Sequence, residues 1–407
     1  MAKIFRFTKI AFVFVAICSI SSCSKNDSVQ TVDADVLFSL NYGNFENQMN
    51  LFDITDVGTI CSSLAMRDGF FYIVNGESQK IMSFNSYGDI LSLYYGVDHY
   101  SGAKAGIPEH STASIWHPVN FPFQFCGNIA VDKRKYMYLS CLVPRDRREM
   151  DDKEKLLYSH VILRVSSDGS TLDYIGQQGP GGTPFPFIKN VYVTENDELV
   201  VVCTVTDGLR VFWFSSNGFL KYKIFVGSKD VPLLSKDEGQ TEDYHITIEN
   251  AVPDSYRHRL YVKADYYLPS YDAESKALSS IDFISSVVHP MDVENGTYSS
   301  FVDIPASEEV VSEDFNKIIY RMPYDFIGST KNGWLFFATK TLEGFAVQMV
   351  HPETQYVIKR NFVVDHKNTL FYSLSLSPEG IISAILADKE NVKVVWWRTD
   401  NIIESVS

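Results

Sequence analysis

The chain has 407 residues, a net charge of −14, 45% hydrophobic residues and 14% aromatic residues. This apolar content is sufficient for a large core, which excludes a disordered chain. The negative balance excludes binding to nucleic acid or to anionic lipid through net charge.

Residues 1–22 have the features of a lipoprotein signal peptide. Basic residues precede a short apolar run that ends in Ser21-Ser22-Cys23. A membrane-spanning helix needs about 20 apolar residues, and this run is shorter. The segment resembles a lipobox, which implies a diacylglyceryl group on Cys23. Removal of three basic residues then changes the charge to −17. The alternative is an ordinary signal peptide, which exports the chain without an anchor.

Residues 23–35 are polar and show no periodicity, so we predict a flexible tether between the anchor and the folded domain. Ser24 is not acidic, and the lack of an acidic retention signal after the cysteine favours the outer membrane over the inner one. No later apolar run reaches membrane-spanning length. Residues 36–407 are therefore expected to form one water-soluble domain in the cell envelope.

Six copies of one pattern occupy residues 36–407. Each copy has two apolar strands, an amphipathic third strand, an Asn/Asp-Gly turn and a fourth strand, which predicts a four-stranded antiparallel blade. The last copy ends after its third strand, from Val392 to Trp397, and the segment from Val36 to Gly43 has the shape of the missing fourth strand. We therefore predict an all-β fold, a six-bladed β-propeller whose last blade is closed by the N-terminal strand.

Two resemblances accompany this pattern. The stretch from Ile175 to Gly182, with Phe185 and Ile188 after it, resembles the segment between blades of NHL-type propellers. Over its whole length, and most distinctively from Phe38 to Asn47 and from Gly179 to Asn190, the chain is similar to a group of uncharacterised spirochaete lipoproteins. These resemblances imply a compartment and a fold, and no activity.

The two ends of the predicted propeller differ in the length of their connections. The turns between first and second strands and between third and fourth strands are short, and we call their side the short-turn face. Five longer connections fall on the opposite side, the long-loop face: residues 96–125, 144–160, 227–241, 265–280 and 303–323. Long loops on a rigid scaffold commonly carry binding sites. We therefore expect this face to bind an envelope protein, a host protein or a glycan.

Seven residues of these connections are the predicted partner-binding residues: Tyr100, Trp116, Arg145, Arg148, Tyr266, Tyr267 and Tyr271. Exposed aromatic residues and arginines are typical interface anchors. Two alternatives stay open. In the first, the aromatic side chains fill the blade ends as local core instead of binding a partner. In the second, the alternation of basic and acidic residues in 144–160 indicates a solvated helix or hairpin.

Alignment of the six first strands places one polar residue of each near the propeller axis. Four of them are Asn128, Asn190, Asn250 and Asp325, whose oxygen atoms are of the type that binds a hard cation such as calcium. A calcium-dependent hydrolase or lactonase with its site in this channel is the alternative function. Only one of the six aligned residues is acidic, so we favour a water-filled channel without a cofactor.

No linear catalytic motif is present, because G-x-S-x-G, H-E-x-x-H and a phosphate-binding glycine loop are all missing. The expected function is therefore binding, and we expect the protein not to be an enzyme.

Four cysteines remain after the signal peptide and Cys23: Cys61, Cys126, Cys141 and Cys203. They form no C-x-x-C motif and two of them end apolar strands, which favours buried free thiols over a disulfide bridge. Export keeps the bridge chemically feasible.

Overall fold

The computed structural model describes residues 29–53, 58–96, 116–119, 123–234, 244–272, 274–313 and 316–406. These residues form six mainly antiparallel sheets that pack side by side around a central axis. The predicted all-β fold, a six-bladed β-propeller, is confirmed. Within the described residues, no helix is both long enough and apolar enough to cross a membrane.

The strands of the first half of the chain are numbered in chain order. The N-terminal segment contains β1 (Gln30–Val32), β2 (Asp35–Tyr42) and β3 (Gln48–Met49). Blade 1 contains β4 (Ser62–Arg67), β5 (Phe70–Asn75), β6 (Lys80–Phe84), β7 (Ile90–Gly96) and β8 (Trp116–Val119). Blade 2 spans β9 (Gln124–Val131), β10 (Met137–Leu142), a separate two-stranded ribbon of β11 (Glu149–Asp151) and β12 (Leu156–Tyr158), then β13 (His160–Val165), β14 (Thr171–Gly176) and β15 (Gly179–Pro180). Blade 3 contains β16 (Ile188–Val193), β17 (Leu199–Val205), β18 (Gly208–Phe214) and β19 (Leu220–Gly227).

The second half continues the same order. Blade 4 contains β20 (His245–Pro253), β21 (Arg259–Tyr271), β22 (Leu278–Asp292) and β23 (Val302–Ile304). A two-stranded ribbon follows, formed by β24 (Ser307–Glu313) and β25 (Asn316–Met322). Blade 5 contains β26 (Asp325–Ser329), β27 (Leu335–Lys340), β28 (Gly344–His351) and β29 (Tyr356–Val363). Blade 6 contains β30 (Phe371–Leu376), β31 (Ile382–Ala387) and β32 (Val392–Trp397), and the short helix α1 (Thr399–Glu404) follows it.

The ring is closed in blade 6 by a strand from the other end of the chain. β2 pairs antiparallel with β32, so that Asp35 lies opposite Trp396 and Leu40 lies opposite Val392. The predicted closure by the N-terminal strand is therefore correct. The ring of Phe38 in β2 also lies 5.0 Å from the ring of Phe84 in blade 1, so the closing strand contributes to the next interface between blades.

The core consists of apolar side chains between neighbouring blades. Strand β17 is apolar on both faces because both faces are covered: Val200 and Val202 pack with residues of blade 4, and Val201 packs with residues of blade 2. Between blades 5 and 6, the rings of Phe362 and Trp397 stack with their centroids 4.7 Å apart. Complete burial of one large apolar side chain contributes about 1.5–3 kcal/mol, so these interfaces are the main source of stability.

Glycine begins the third strand of blades 3 and 5 for a steric reason. Gly208 and Gly344 both have a φ angle of +152°, and a Cβ atom at either position would overlap a carbonyl oxygen of the neighbouring strand. These carbonyls belong to Val226 and Phe362. The close approach of the third and fourth strands at this end of the blade therefore requires a residue without a side chain.

Four blades carry a fifth strand at their outer edge. β1 pairs in parallel with β29, β3 with β2 and β8 with β7, while β15 pairs antiparallel with β14. An added strand covers the unpaired backbone groups of a sheet edge. The structure differs here from the sequence prediction, since Gln30–Val32 fall within the range predicted as a flexible tether and instead form a strand of blade 5.

Three of the five predicted long loops contain ribbons rather than irregular loops. β11 and β12 lie in residues 144–160, the outer parts of β21 and β22 lie in residues 265–280, and β24 and β25 lie in residues 303–323. Of the helix and the hairpin predicted for residues 144–160, the structure has a hairpin, formed by β11 and β12. Most of residues 96–125 and part of residues 227–241 lie outside the described residues.

Candidate functional site

The predicted axial residues lie in the inner strands, but they do not form one open ring of ligands. Asn128 and Asn190 line an axial cavity of about 260 Å³ together with Ser63 and Ser373. Asn250 is buried, with only 2% of its surface exposed. Asp325 is exposed, and neither it nor Asn250 is among the residues that line this cavity.

Asn250 connects three consecutive blades. Its Oδ1 accepts hydrogen bonds from Asn190 Nδ2 of blade 3, at 3.1 Å, and from the Ala251 backbone N, at 2.9 Å. Its Nδ2 donates at 3.0 Å both to the Tyr192 hydroxyl of blade 3 and to the Phe326 carbonyl of blade 5. Because both polar atoms are engaged, this side chain offers no free oxygen lone pair to a cation.

The described residues also contain no group of three or more His, Cys, Asp and Glu side chains arranged to hold a metal ion. The amide groups near the axis instead join neighbouring blades. The water-filled channel and the calcium-binding alternative both stay predictions, and the geometry of Asn250 argues against calcium.

An ion pair bridges the end of the cavity at the short-turn face. Arg67 Nη2 of blade 1 lies 2.9 Å from Glu195 Oε1 of blade 3, and their side chains are 4% and 9% exposed. Lys133 of blade 2 lies 3.2 Å from the other carboxylate oxygen of Glu195. Arg67 and Glu195 both line the cavity, so this end of it carries a buried ion pair.

A cluster of acidic and basic side chains lies where blades 3, 4 and 5 meet: Lys189, Glu249, Lys263 and Asp265. Glu249 Oε2 accepts a hydrogen bond from the Phe326 backbone N at 3.0 Å, and the carboxylate lies 3.6 Å from Lys189 Nζ and 3.9 Å from Lys263 Nζ. Lys263 is fully buried and donates to Asp265 Oδ1 at 2.6 Å. Burial raises the pKa of Glu249, and the two lysines oppose this shift.

Sequence reasoning missed this charged cluster, although a signal was available. Lys263 and Asp265 are two residues apart in a run, Leu260 to Pro269, that is otherwise apolar and aromatic, which indicates a paired charge in a buried sheet. Lys189 and Glu249 each precede an aligned asparagine, and each lies at a register shift of its inner strand. A β-bulge re-aims side chains, so the bulges account for the position of these two residues.

Two of the three predicted tyrosines of blade 4 lie at the surface. Tyr267 is half-buried and Tyr271 is 61% exposed. Tyr266 is fully buried, and its hydroxyl donates to the Pro232 carbonyl at 2.6 Å and lies 2.9 Å from His289 Nε2. The prediction that Tyr266 is an exposed anchor is wrong, because it points into the interface between blades 3 and 4.

The other predicted partner-binding residues are dispersed. Arg145 is exposed in a one-turn 3₁₀ helix, Arg145–Arg147. Arg148 is half-buried, and its Nε donates to the Val143 carbonyl at 3.0 Å, so it holds the local backbone. Trp116 begins β8 opposite Leu93, and Tyr100 lies outside the described residues.

The outer parts of β21 and β22 form a two-stranded ribbon with one apolar face, which we call the apolar ribbon. Residues in register across a ribbon have their side chains on the same face. Three such pairs make up the apolar face: Tyr267 with Phe283, Pro269 with Ile281, and Tyr271 with Leu278. Tyr271, Leu278 and Ile281 are each at least half exposed.

The opposite face of the apolar ribbon is mainly polar, and its in-register pairs are Leu268 with Asp282 and Ser270 with Ser280. Asp282 Oδ2 accepts hydrogen bonds from the hydroxyls of Ser270 and Ser280, both at 3.1 Å. Within the described residues, β20 pairs with β21 only as far as Tyr267, and β23 pairs with β22 only from Ser286 to Val288. Among the described residues, no third strand therefore pairs with the outer part of the ribbon, and three side chains of its apolar face are at least half exposed. An exposed apolar patch of this kind marks an interaction surface.

Among the described residues, Cys61, Cys126, Cys141 and Cys203 form no disulfide bond, and three of the four are buried. Burial raises the pKa of Cys126 to about 12 and raises the pKa values of Cys141 and Cys203 as well. Because the thiolate is the reactive form of cysteine, these side chains are poor candidates for a catalytic nucleophile.

No protein-family model matches the chain, and no curated protein matches it in sequence. Several solved structures are similar to it. A streptogramin B lyase has 11% identity over 89% of this chain and 97% of its own, with a TM-score of 0.35. A gluconolactonase from Xanthomonas campestris has 9% identity over 90% and 97%, with a TM-score of 0.39. The β-propeller domain of Cps50 (Swd1) from Myceliophteria thermophila has 7% identity over 89% and 99%, with a TM-score of 0.37.

These comparisons correct one prediction from the sequence. Two of these three structures are named as enzymes, a lyase and a lactonase. The prediction that the chain is not an enzyme, which was based on missing linear motifs, is therefore withdrawn. At such low identity the likeness concerns the β-propeller fold alone, and the similarity to spirochaete lipoproteins is not shown by it.

Proposed function

We propose that this protein is an exported lipoprotein that binds a partner protein through the apolar ribbon on its long-loop face. The exposed apolar side chains of the ribbon are the observation that supports this proposal. An isolated two-stranded ribbon is marginally stable in water, so a projecting ribbon with exposed apolar side chains gains stability when it is covered. Covering Tyr271, Leu278 and Ile281, each at least half exposed, would contribute about 3 kcal/mol in total.

The charges around the apolar ribbon indicate what the partner carries. Asp272 and Glu274 lie at its tip and Asp282 on its polar face, with Lys276 as the only basic residue between positions 267 and 283. A partner with an apolar patch bordered by lysines or arginines is complementary to this surface. Aliphatic side chains make up half of the apolar face, which favours a protein over a glycan.

The lipid anchor on Cys23 is part of the proposal. It is supported by the resemblance of residues 20–23 to a lipobox and by the position of β1. Gln30 follows Cys23 by seven residues, which span at most about 25 Å when extended. An anchored chain would therefore hold the propeller close to the bilayer, where the apolar ribbon can meet another envelope protein.

Site-specific photocrosslinking in intact cells tests the binding surface. The full-length protein carries a photoreactive phenylalanine analogue in place of Tyr271, and a matched protein carries it in place of Tyr87. Tyr87 is 85% exposed and lies in the turn between β6 and β7 of blade 1, on the short-turn face. We expect a discrete crosslinked species from position 271 and none from position 87.

A second variant separates binding from folding. Leu278→Ser combined with Ile281→Ser removes apolar surface that is at least half exposed, so melting should be nearly unchanged while the crosslink from position 271 disappears. Equal crosslinking from positions 271 and 87, or a crosslink that persists in this variant, would show that the apolar ribbon is not the binding surface.

A further inference from the structure

We propose that the outer edge of blade 5 is the side of the protein that faces the membrane. This inference rests on the lipid anchor proposed above. β1 is the first described strand, and it pairs in parallel with β29, with Gln30 opposite Arg360 and Val32 opposite Phe362. The N-terminal end of β1 is therefore directed toward the Tyr356 end of β29, at the periphery of the ring.

The short segment between Cys23 and β1 restricts the orientation of the propeller relative to the bilayer. Residues 23 to 30 reach at most about 25 Å. A compact domain of this length is about 50 Å across, from the scaling of its radius of gyration. Blade 2 lies opposite blade 5 in a ring of six blades. An anchor that leaves from blade 5 therefore cannot bring the outer edge of blade 2 to the bilayer while β1 remains paired.

The exposed side chains at the edge of blade 5 have the composition of a lipid-facing surface. Val29, Tyr356, Val357 and Val363 are each more than a third exposed. Tyrosine and aliphatic residues of this kind lie at the boundary between lipid headgroups and acyl chains in membrane-bound proteins. Three of the four belong to β29 itself, the strand that β1 covers.

Basic side chains lie between these apolar residues. Lys359 and Arg360 are partly exposed in β29, and in the part of the chain that the structure describes neither forms a salt bridge. The acidic residue of the adjacent turn, Glu353, is paired with Arg257 at 3.1 Å. Although the protein as a whole is acidic, Lys359 and Arg360 place two basic side chains at this edge, and anionic headgroups attract basic residues close to a bilayer.

Fluorescence quenching in vesicles tests the orientation. The full-length lipidated protein is reconstituted in vesicles of phosphatidylethanolamine and phosphatidylglycerol that contain a lipid spin-labelled in its headgroup. A fluorescent thiol label is placed at Val357→Cys and, as the matched control, at Leu172→Cys. Leu172 is 43% exposed in β14, an outer strand of blade 2. The parent protein, which lacks the introduced cysteine, is treated with the same label to measure the background from the native thiols.

We expect strong quenching, at least threefold, of the label at position 357 and little quenching at position 172. Equal quenching at the two positions, or stronger quenching at position 172, overturns the orientation. In the double variant Lys359→Glu and Arg360→Glu, the protein stays anchored and quenching at position 357 falls. Unchanged quenching in this variant would contradict a role for the two basic residues.

Detergent phase separation distinguishes a failed anchor from a failed orientation. The wild-type protein should enter the detergent phase, and Cys23→Ser should remain in the aqueous phase. Wild-type protein in the aqueous phase overturns the anchor and the orientation together. Anchored protein with equal quenching at positions 357 and 172 leaves the anchor in place and overturns the orientation alone.

Discussion

Replacement of Asn250 by alanine should lower the free energy of unfolding by about 4 kcal/mol. The side chain takes part in four hydrogen bonds that connect blades 3, 4 and 5. A buried hydrogen bond contributes about 1 kcal/mol net, and a buried group left without a partner costs about 1–3 kcal/mol. Alanine would leave the Phe326 carbonyl and the Tyr192 hydroxyl without this partner, so four bonds give a loss of about 4 kcal/mol.

Denaturant unfolding followed by tryptophan fluorescence measures this loss. The matched control is Asn128→Ala, at the aligned position of blade 2. Among the described residues no hydrogen bond of the Asn128 side chain is found, and it lines the axial cavity. We expect it to change the free energy of unfolding by less than about 1 kcal/mol, as for a partly exposed polar residue.

An equal decrease in the free energy of unfolding for Asn250→Ala and Asn128→Ala would refute the reasoning. The same pair also tests the calcium alternative. If the axial residues bind calcium, addition of the ion should raise the melting temperature of the wild-type protein and the increase should disappear in both variants. Because the Asn250 amide is engaged on both sides, we expect calcium and chelator to leave the melting temperature unchanged.

Three further predictions concern pH, backbone conformation and thiol reactivity. Burial lowers the pKa values of His160 and His289 from 6.5 to about 4, so the unfolded chain gains protons that the folded protein does not. The free energy of unfolding should thus be largest above pH 6.5 and fall as the pH decreases toward 4, by about 3 kcal/mol per histidine; denaturant unfolding of His289→Phe should show a smaller pH slope, and an unchanged slope would contradict this. Gly344→Ala should destabilise by at least about 3 kcal/mol, because the new Cβ overlaps a carbonyl, whereas Gly296→Ala, with open space around its Cβ, should cost about 1 kcal/mol in melting experiments; equal losses would count against the steric argument. The raised pKa of Cys126 predicts that a thiol reagent at pH 8 labels it only after denaturation, and rapid labelling of the folded protein would show that this thiol is accessible and ionised.

The blades could be predicted from the sequence because each strand carries its own signal. Strand β17 is a continuous apolar run between polar turns, and the segment that became β2 repeats the pattern of β7. The order of strands within a blade then follows from short antiparallel turns. Strand β1 could not be predicted in the same way, because three residues are too few to show a period.

The candidate site was harder to predict because it depends on which face of a strand is covered. Tyr266 and Tyr267 are neighbours in β21, and alternation requires that they point to opposite faces. Within the ring, both faces of a blade are buried. A strand exposes one face only where it extends past the neighbouring strands, as the outer part of β21 does. The sequence does not show where along β21 this extension begins. Both tyrosines were therefore predicted as anchors, and only Tyr267 lies at the surface.

The closing pair of strands also determines when the protein can fold. Asp35 is paired with Trp396, so the ring cannot close until almost the whole chain has been synthesised. Contacts so distant in sequence form slowly, and until they form, β32 exposes a sheet edge that can pair with another chain. A chain truncated before Val392 would retain β2 without its partner strand. The protein is therefore expected to require protection from aggregation while it folds, and expression of fragments that omit either end should yield insoluble material.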